Sequence, residues 1–305
     1  MTNAPGCRGH VLHSTVVRVG FVRSLLWQRY GPFWSRLLND AGADVVFASV
    51  DAVARWQDDP RLDAISGRGF RAAGAEALAL ASCDLLIVPS LNVGYDGTRG
   101  SAQDPFVADL PSALAAVLPG LPRVMAVPSD LAVVGLDTLA ISLLSLANPS
   151  PGMVRRVWQT HQAYVKPPAL PGWPAPSLGS LRLPVGLVGQ PWNLNPDVAR
   201  AVEREGELLL RADQVDPVVL REEGWRVDER LAPTDAEALG AVRRLTRRSD
   251  VSRIRLVMDR ASGADVWLAR RVHDLARRPV EEVDLPLDAF DASLITGIDV
   301  REVEG

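Results

Sequence analysis

The chain has 305 residues, of which 47% are apolar and 23% charged, and its formal net charge is −4. These values are ordinary for a globular protein, and the acidic balance argues against nucleic acid as a partner. No apolar run reaches the roughly 18 residues of a membrane span, and the two cysteines, Cys7 and Cys83, suit a reducing compartment. The composition therefore predicts a soluble cytoplasmic protein with neither nucleic-acid nor membrane partners, long enough for about two domains.

The first pattern is strand–helix–strand and covers residues 16–49. A β-branched run begins it, apolar residues at helical spacing follow from Phe33 onwards, and a second β-branched run starts at Val45. The crossing between the first strand and the helix is unusually rich in arginine and aromatic residues. Because ligands bind at the carboxyl ends of parallel strands, the sequence predicts binding residues there, with simple packing on the sheet as the alternative. The candidates are Arg23, Trp27 and Tyr30.

Strands alternate with helices through the rest of the first half. Residues 85–88 are apolar on both faces, as a strand covered by helices must be, and 122–127 is predicted to be another buried strand. The predicted helices cover 72–81, 109–117, 131–147 and 153–166. The polar residues that follow the two strands are further site candidates, because they fall at the same edge of the sheet. These candidates are Ser90, Asn92 and Asp130.

A proline-rich segment, 167–180, separates this half from a second pattern of the same kind. Predicted strands at 183–188 and 254–258 alternate with helices at 198–205, 235–248 and 264–277. We therefore expect an N-terminal α/β domain (1–166), a linker (167–180) and a C-terminal α/β domain (181–305). The predicted fold is two tandem doubly wound, flavodoxin-like parallel-sheet domains with a cleft between them. The candidates in the second half are Gln190, Trp192, Asn193, Asp197, Asp259 and Arg260.

Three segments in collinear order resemble the 2-hydroxyacyl-CoA dehydratase superfamily, in particular the domain of unknown function associated with acyl-CoA dehydratase activases. The first segment contains Tyr-Gly-Pro-Phe-Trp at 30–34, which is similar to the family's Tyr-x-Pro-Phe-Trp-like stretch. The second is CDLLIVPSL at 83–91, and the third is GQPWNL at 189–194, where the family has a Gly-His-Pro-Tyr-Asn-like turn. Gln190 and Trp192 replace the histidine and tyrosine of that turn.

The resemblance implies iron–sulfur chemistry on cluster cysteines, and this chain departs from the family at that point. The stretches 65–69 and 103–105, where the cysteines are expected, contain none. A cluster usually requires four thiolates, and Cys83 precedes its strand, at the end opposite a parallel-sheet site. The sequence therefore predicts a cluster-free relative without a cofactor.

Other catalytic and metal-binding patterns are incomplete. Cys7, His10 and His13 form C-x2-H-x2-H, which offers three ligands where a structural zinc site takes four. The segment is expected to be a terminal tail, and no metal site is predicted. Neither Ser90 nor Ser129 stands in a G-x-S-x-G turn, so a hydrolase triad is not predicted.

Two functions follow from these observations. The first is a binding protein that holds a small anionic ligand, such as an acyl-CoA, or a partner protein in the interdomain cleft, with arginines pairing with the anion. The second is a lyase-like enzyme without a cluster, in which cleft carboxylates carry out acid–base chemistry. The candidate acids and bases are Asp130, Asp197 and Asp259. The first function is preferred, because the sequence contains no identifiable nucleophile or cofactor loop.

Overall fold

The computed structural model describes residues 16–97, 99–165, 170–175 and 182–286. Over these residues the chain is an α/β protein with eight strands and eleven α-helices. The group Cys7, His10 and His13 and most of the predicted linker 167–180 lie outside the described residues. No helix in the described ranges is long and apolar enough to cross a membrane.

The strands form two four-stranded sheets, and every strand pair is parallel. The strands of the first sheet are β1 (Arg18–Phe21), β2 (Asp44–Val46), β3 (Leu85–Ser90) and β4 (Arg123–Pro128). Those of the second sheet are β5 (Leu183–Val188), β6 (Glu207–Arg211), β7 (Arg253–Met258) and β8 (Val280–Asp284). The orders β2-β1-β3-β4 and β6-β5-β7-β8 are the same topology repeated. This confirms the predicted parallel α/β architecture.

The helices connect the strands of each sheet. In the N-terminal half they are α1 (Trp27–Asp40), α2 (Val50–Ala54), α3 (Arg68–Ala79), α4 (Pro105–Ala108), α5 (Leu110–Val117), α6 (Leu136–Ala147) and α7 (Pro151–His161). In the C-terminal half they are α8 (Pro196–Val202), α9 (Pro217–Trp225), α10 (Pro233–Arg247) and α11 (Gly263–Leu275). Short 3₁₀ helices at Pro60–Ala64 and Gly100–Gln103 lie in the connections of the first sheet.

Apolar side chains cover both faces of the sheets. In the first sheet, Leu86 and Val88 belong to the cluster that includes Phe70 of α3, whereas Leu85 and Ile87 belong to the cluster under α1 and α6. Alternate residues of one strand therefore point to opposite helical layers, as expected for a central parallel strand. The second sheet has one continuous core that includes Leu187, Leu256 and Leu239.

Helix α1 begins earlier than the sequence predicts. The apolar spacing placed its start near Phe33, but the structure begins the helix at Trp27 and includes Pro32 within it. Tyr30, Trp34 and Leu37 are buried on its inner face, so the helical periodicity extends back through the segment that was predicted to be a loop. Leu26, just before the helix, has φ 57°, a left-handed conformation that costs a residue with a side chain about 1–2 kcal/mol.

Five elements were not predicted: the short helices α2 and α4 in the first half, and β6, α9 and β8 in the second. The strands β6 and β8 are the two edges of the second sheet, and β8 has the sequence VEEVD, whose acidic residues hide the apolar alternation. Helix α9 is packed closely on α10, where the Cβ of an alanine at Gly240 would stand 1.8 Å from the Leu220 carbonyl oxygen. Gly240 of α10 and Gly224 of α9 allow the two helices to approach, and Gly224 weakens the helical pattern of α9 in the sequence.

Candidate ligand pocket

Arg23 is part of the framework of the first sheet. Its Nε lies 3.2 Å from Oε1 of Glu76 on α3, and its Nη2 donates to the Ala48 carbonyl at 2.8 Å. Glu76 is 3% exposed and also accepts hydrogen bonds from the backbone N–H groups of Arg23 and Ser24 and from the Ser24 hydroxyl. A buried carboxylate with this many donors fixes the turn between β1 and α1. The guanidinium of Arg23 is therefore already paired.

Trp27 and Tyr30 pack together with other aromatic rings of the N-terminal half. The Trp27 ring lies edge-on to those of Phe21, Tyr30 and Phe47, with centroids 5.6, 5.7 and 5.5 Å apart. The hydroxyl of Tyr30 is buried and donates to the Val22 carbonyl at 2.6 Å. These contacts correspond to the packing alternative that the sequence left open for this segment.

Four predicted site residues lie where the two halves meet. Asn92, after β3, accepts hydrogen bonds from the backbone N–H and the hydroxyl of Thr234 at 3.0 and 3.1 Å. The Trp192 ring, after β5, lies 5.3 Å from that of Phe70. Gln190 donates to Asp235 at 3.2 Å, and Asn193 donates to Asp265 at 2.8 Å. All four residues are at most 5% exposed. Asn92 and Trp192 contact the other half directly, whereas Gln190 and Asn193 bond carboxylates of their own half.

The remaining predicted residues occupy separate places. The side chain of Arg260 is 58% exposed and pairs with Asp284 and Glu282 of β8. Asp197 pairs with Arg200 one turn later on α8, at 2.8 Å. Ser90 ends β3, and its carbonyl accepts the backbone N–H of Ser129 at 3.0 Å.

Asp130 and Asp259 both connect the halves. Asp130, after β4, pairs with Arg221 of α9, and the pKa of its carboxyl is lowered because the hydrogen bonds from Ala132 and Arg221 outweigh burial. Asp259, after β7, accepts the backbone N–H of Arg68 at 2.5 Å. Asp259 therefore occupies the start of α3, where a negative charge complements the helix dipole.

The first two turns of α10 make further charged contacts across the halves. The carboxylate of Asp235 accepts the backbone N–H of Ser101 at 3.0 Å and its hydroxyl at 2.6 Å. Glu237 forms a bidentate pair with Arg29 of α1, with distances of 2.9 and 2.5 Å. Bidentate pairs and hydrogen bonds to carboxylates are stronger than neutral ones. The two halves are thus joined by buried polar contacts at the carboxyl ends of both sheets.

A pocket of about 390 Å³ opens beside these contacts. One wall comes from the N-terminal half, at the end of the 3₁₀ helix Pro60–Ala64 and around the connection between β3 and α4. The other wall is the first turn of α11 together with Trp267. The lining residues are Ala64, Ser66, Gly100, Ser101, Gln103, Asp104, Pro105, Phe106, Gly263, Ala264 and Trp267.

Gly100 allows the two walls to approach each other. Its φ is +66°, and a Cβ at this position would lie 2.5 Å from Oδ2 of Asp235 and 3.0 Å from Cζ2 of Trp267. A side chain here would separate the loop from α10 and α11. Gly100 therefore allows the close contact between the halves and also determines the shape of the pocket.

Two buried carboxyl groups lie directly behind the pocket walls. Burial raises the pKa of Asp235 to about 6, against hydrogen bonds from Ser101 and Gln190 that favour the ionised form. Burial also raises the pKa of Asp265 to about 7, and the nearby Asp259 carboxylate adds to this shift. Oδ2 of Asp265 has no hydrogen-bond partner among the described residues. Both groups therefore titrate closer to neutral pH than an exposed aspartate does.

No group of three or more histidine, cysteine, aspartate or glutamate side chains within the described ranges is placed to hold a metal ion. Cys83 is buried, and burial raises the pKa of its thiol, which keeps it protonated.

Sequence reasoning missed Ser101, Asp235, Asp265 and Trp267. Asp235 and Asp265 fall within predicted helices and were not chosen as site residues, because acidic residues are common in a first helical turn. The available signal was the position of both helix starts beside strand ends, at the edge where ligands bind in parallel sheets. Comparison with known proteins gives no relative, since no family model, curated protein or solved structure matches the chain.

Proposed function

We propose that this protein binds a small molecule in the pocket described above, and that its two halves are the lobes of a cleft around that ligand. The observation that carries the proposal is that residues from both halves line one pocket at the carboxyl ends of two parallel sheets. Ligand sites of α/β proteins favour this edge, and small-molecule pockets usually measure about 300–1,000 Å³.

The wall composition also supports a binding site. Apolar surface is provided by Phe106, Pro105 and Trp267, and polar groups by Ser66, Gln103 and Asp104. Mostly apolar walls with a few oriented polar groups are typical of sites that recognise small organic ligands. The hydrogen bonds between Ser101 and Asp235 hold the wall from the N-terminal half in place before a ligand arrives.

The expectation of an anionic ligand rested on Arg23 and Arg260. Both guanidiniums pair with carboxylates of their own half, Arg23 with Glu76 and Arg260 with Asp284. Neither residue lines the pocket. A small-molecule site at the pocket is therefore the better-supported form of the binding hypothesis. The relationship to the 2-hydroxyacyl-CoA dehydratase superfamily stays a prediction that rests on the three sequence segments.

The test uses a variant that fills the pocket. Ala64 lines the pocket and is exposed, so Ala64→Trp should occupy the space without disturbing the core. Ala116→Trp, on the exposed side of α5, is the matched control. Each protein is dialysed against a small-molecule extract of cells, and the retained compounds are identified by mass spectrometry. The proposal predicts at least one compound that the unmodified chain and Ala116→Trp retain and Ala64→Trp does not. Equal retention by all three proteins, or by none, would contradict it.

A second candidate is an enzyme that uses the carboxyl groups behind the pocket. The observation in its favour is the pKa of Asp265, which at about 7 suits a general acid or base at neutral pH. Asp265 is 1% exposed, so catalysis would require the first turn of α11 to move. Chemical conversion of a retained compound by the unmodified chain, but not by Asp265→Asn, would identify an enzyme. Unchanged recovery of the compound would favour binding alone.

A further inference from the structure

We infer that the ligand of this pocket carries an ammonium group beside a ring, an inference that rests on the proposed binding function. It follows from the charges and aromatic faces around the pocket. Among the residues that line the described pocket, Asp104 is the only one with a formal charge. The site is therefore more complementary to a cation than to an anion.

The carboxylate of Asp104 has capacity for a further donor. Its Oδ1 accepts the backbone N–H of Phe106 at 2.9 Å, and its Oδ2 accepts the Ser66 hydroxyl at 3.0 Å. A carboxylate has about four lone-pair sites. Asp104 is partly exposed, so a bound ammonium group can reach it from the pocket.

The groups behind the walls add negative charge and acceptors. The carboxylate of Asp235 lies against Gly100 and Ser101, and that of Asp259 lies 3.6 Å from where a Cβ of Gly67 would stand. Within the described residues, two buried acceptors also lack a hydrogen-bond donor, Oε1 of Gln190 and Oδ2 of Asp265. At pH 8, where Asp235 and Asp265 are largely ionised, these carboxylates would attract a cation in the pocket and repel an anion.

The helix starts near the pocket do not reverse this balance. The start of α3 is already occupied by Asp259, which accepts the Arg68 N–H. The start of α11 is capped by the Ser262 hydroxyl and has Asp265 in its first turn. Internal carboxylates thus offset the positive ends of both helix dipoles, which in other proteins attract anions.

The ring is inferred from the aromatic residues. Trp267 and Phe106 line the pocket, and the Phe106 ring packs at a tilt against that of Phe70, with 6.0 Å between centroids. Aromatic faces attract cations and pack against flat or ring-shaped ligands, and tryptophan does so most strongly. A carboxylate beside aromatic faces is a suitable environment for a ring-bearing amine.

Three probes of nearly equal shape test this inference: phenethylamine, 2-phenylethanol and 3-phenylpropionate. Binding to the unmodified chain is measured by NMR titration at pH 8 and low salt. The amine should bind at least tenfold more tightly than the alcohol, and the carboxylate should bind most weakly.

Asp104→Asn keeps a side chain that caps α4 and should lower the affinity for the amine about tenfold while leaving that for the alcohol unchanged. Ala64→Trp should weaken binding of all three probes.

The outcomes separate the inference from the proposed function. If the alcohol or the carboxylate binds as tightly as the amine, or if Asp104→Asn leaves the amine affinity unchanged, the ligand class is wrong while the pocket stands. If no probe binds but dialysis still recovers a compound that Ala64→Trp loses, the inference again fails alone. If the probes bind equally well to Ala64→Trp, the pocket is not the site, and both fail.

Discussion

Ser101 and Asp235 are 134 positions apart in the chain, and Ser101 donates both its backbone N–H and its hydroxyl to the Asp235 carboxylate. Ser101 lies in the 3₁₀ helix after β3, and Asp235 lies in the first turn of α10. Both residues are at most 2% exposed. This contact joins the carboxyl ends of the two sheets and holds one wall of the pocket.

Replacing Ser101 by alanine should therefore destabilise the protein. The change removes a hydrogen bond to a buried carboxylate, and we expect a loss of about 1.5–3 kcal/mol in the free energy of unfolding, measured by urea denaturation. Ser142→Ala is the control, because the Ser142 hydroxyl is on the exposed side of α6 and bonds only its own helix among the described residues. Equal stability of the two variants would mean that the hydrogen bond from the Ser101 hydroxyl to Asp235 contributes little.

Asp265 should make stability depend on pH. Its pKa is about 7 in the folded chain and near 3.8 in the unfolded chain, so between these values the folded state holds more protons. Stability therefore falls as pH rises from about 4 to about 7. The groups around Asp265 are Asn193, Ser262 and Asp259.

Asp265→Asn keeps the side-chain shape and cannot ionise, so it should remove this contribution. The free energy of unfolding of the variant, relative to that of the unmodified chain, should rise by up to about 4 kcal/mol between pH 4 and pH 8. This is the scale of a pKa shift of about three units. The measurement is urea denaturation of both proteins across this range. Parallel stability curves would show that Asp265 is ionised in the folded chain throughout.

The sequence predicted the strands and helices best where one apolar pattern was uninterrupted. β5 was predicted with its observed bounds, and β7 and α10 within a few residues, because buried parallel strands and amphipathic helices have strong patterns. β8 was missed because acidic residues dominate this edge strand, in which no residue is fully buried.

The candidate site was less predictable, for a physical reason. The sequence shows which residues follow each strand, but not whether they turn towards the other half or into their own core. Arg23 turns inward because Glu76, 53 positions later, offers a buried carboxylate. Ser101 and Trp267 line one pocket because Gly100 lets the walls approach, and this contact depends on the packing of both halves.

Arg29 and Glu237 should contribute to stability as a pair. Their side chains are 22% and 5% exposed, so removal of the arginine would leave a nearly buried charge. Arg29→Ala should cost about 3 kcal/mol or more. The double variant with Glu237→Ala should cost clearly less than the sum of the two single variants, as determined by a double-mutant cycle. Additive effects would show that the two side chains do not interact in solution.

Arg23 and Arg260 should behave differently from each other. Arg23 and Glu76 form a pair with side chains 9% and 4% exposed, and Arg23→Ala should lower the free energy of unfolding by about 3 kcal/mol. Arg260 is exposed, and exposed pairs contribute little, so Arg260→Ala should leave the melting temperature nearly unchanged. Neither change should alter the affinity for phenethylamine by more than about twofold. If Arg23→Ala lost affinity for phenethylamine without losing stability, Arg23 would be a binding residue and not a framework residue.

The most direct test of the account is a crystal structure of the protein grown with phenethylamine. We expect the ring to contact Trp267 and the ammonium group to lie within hydrogen-bond distance of the Asp104 carboxylate, between walls provided by both halves. The Ser101 N–H and hydroxyl should remain bonded to Asp235 in that complex. Phenethylamine bound at another place on the molecule, or a pocket in which the two walls do not meet, would contradict the account.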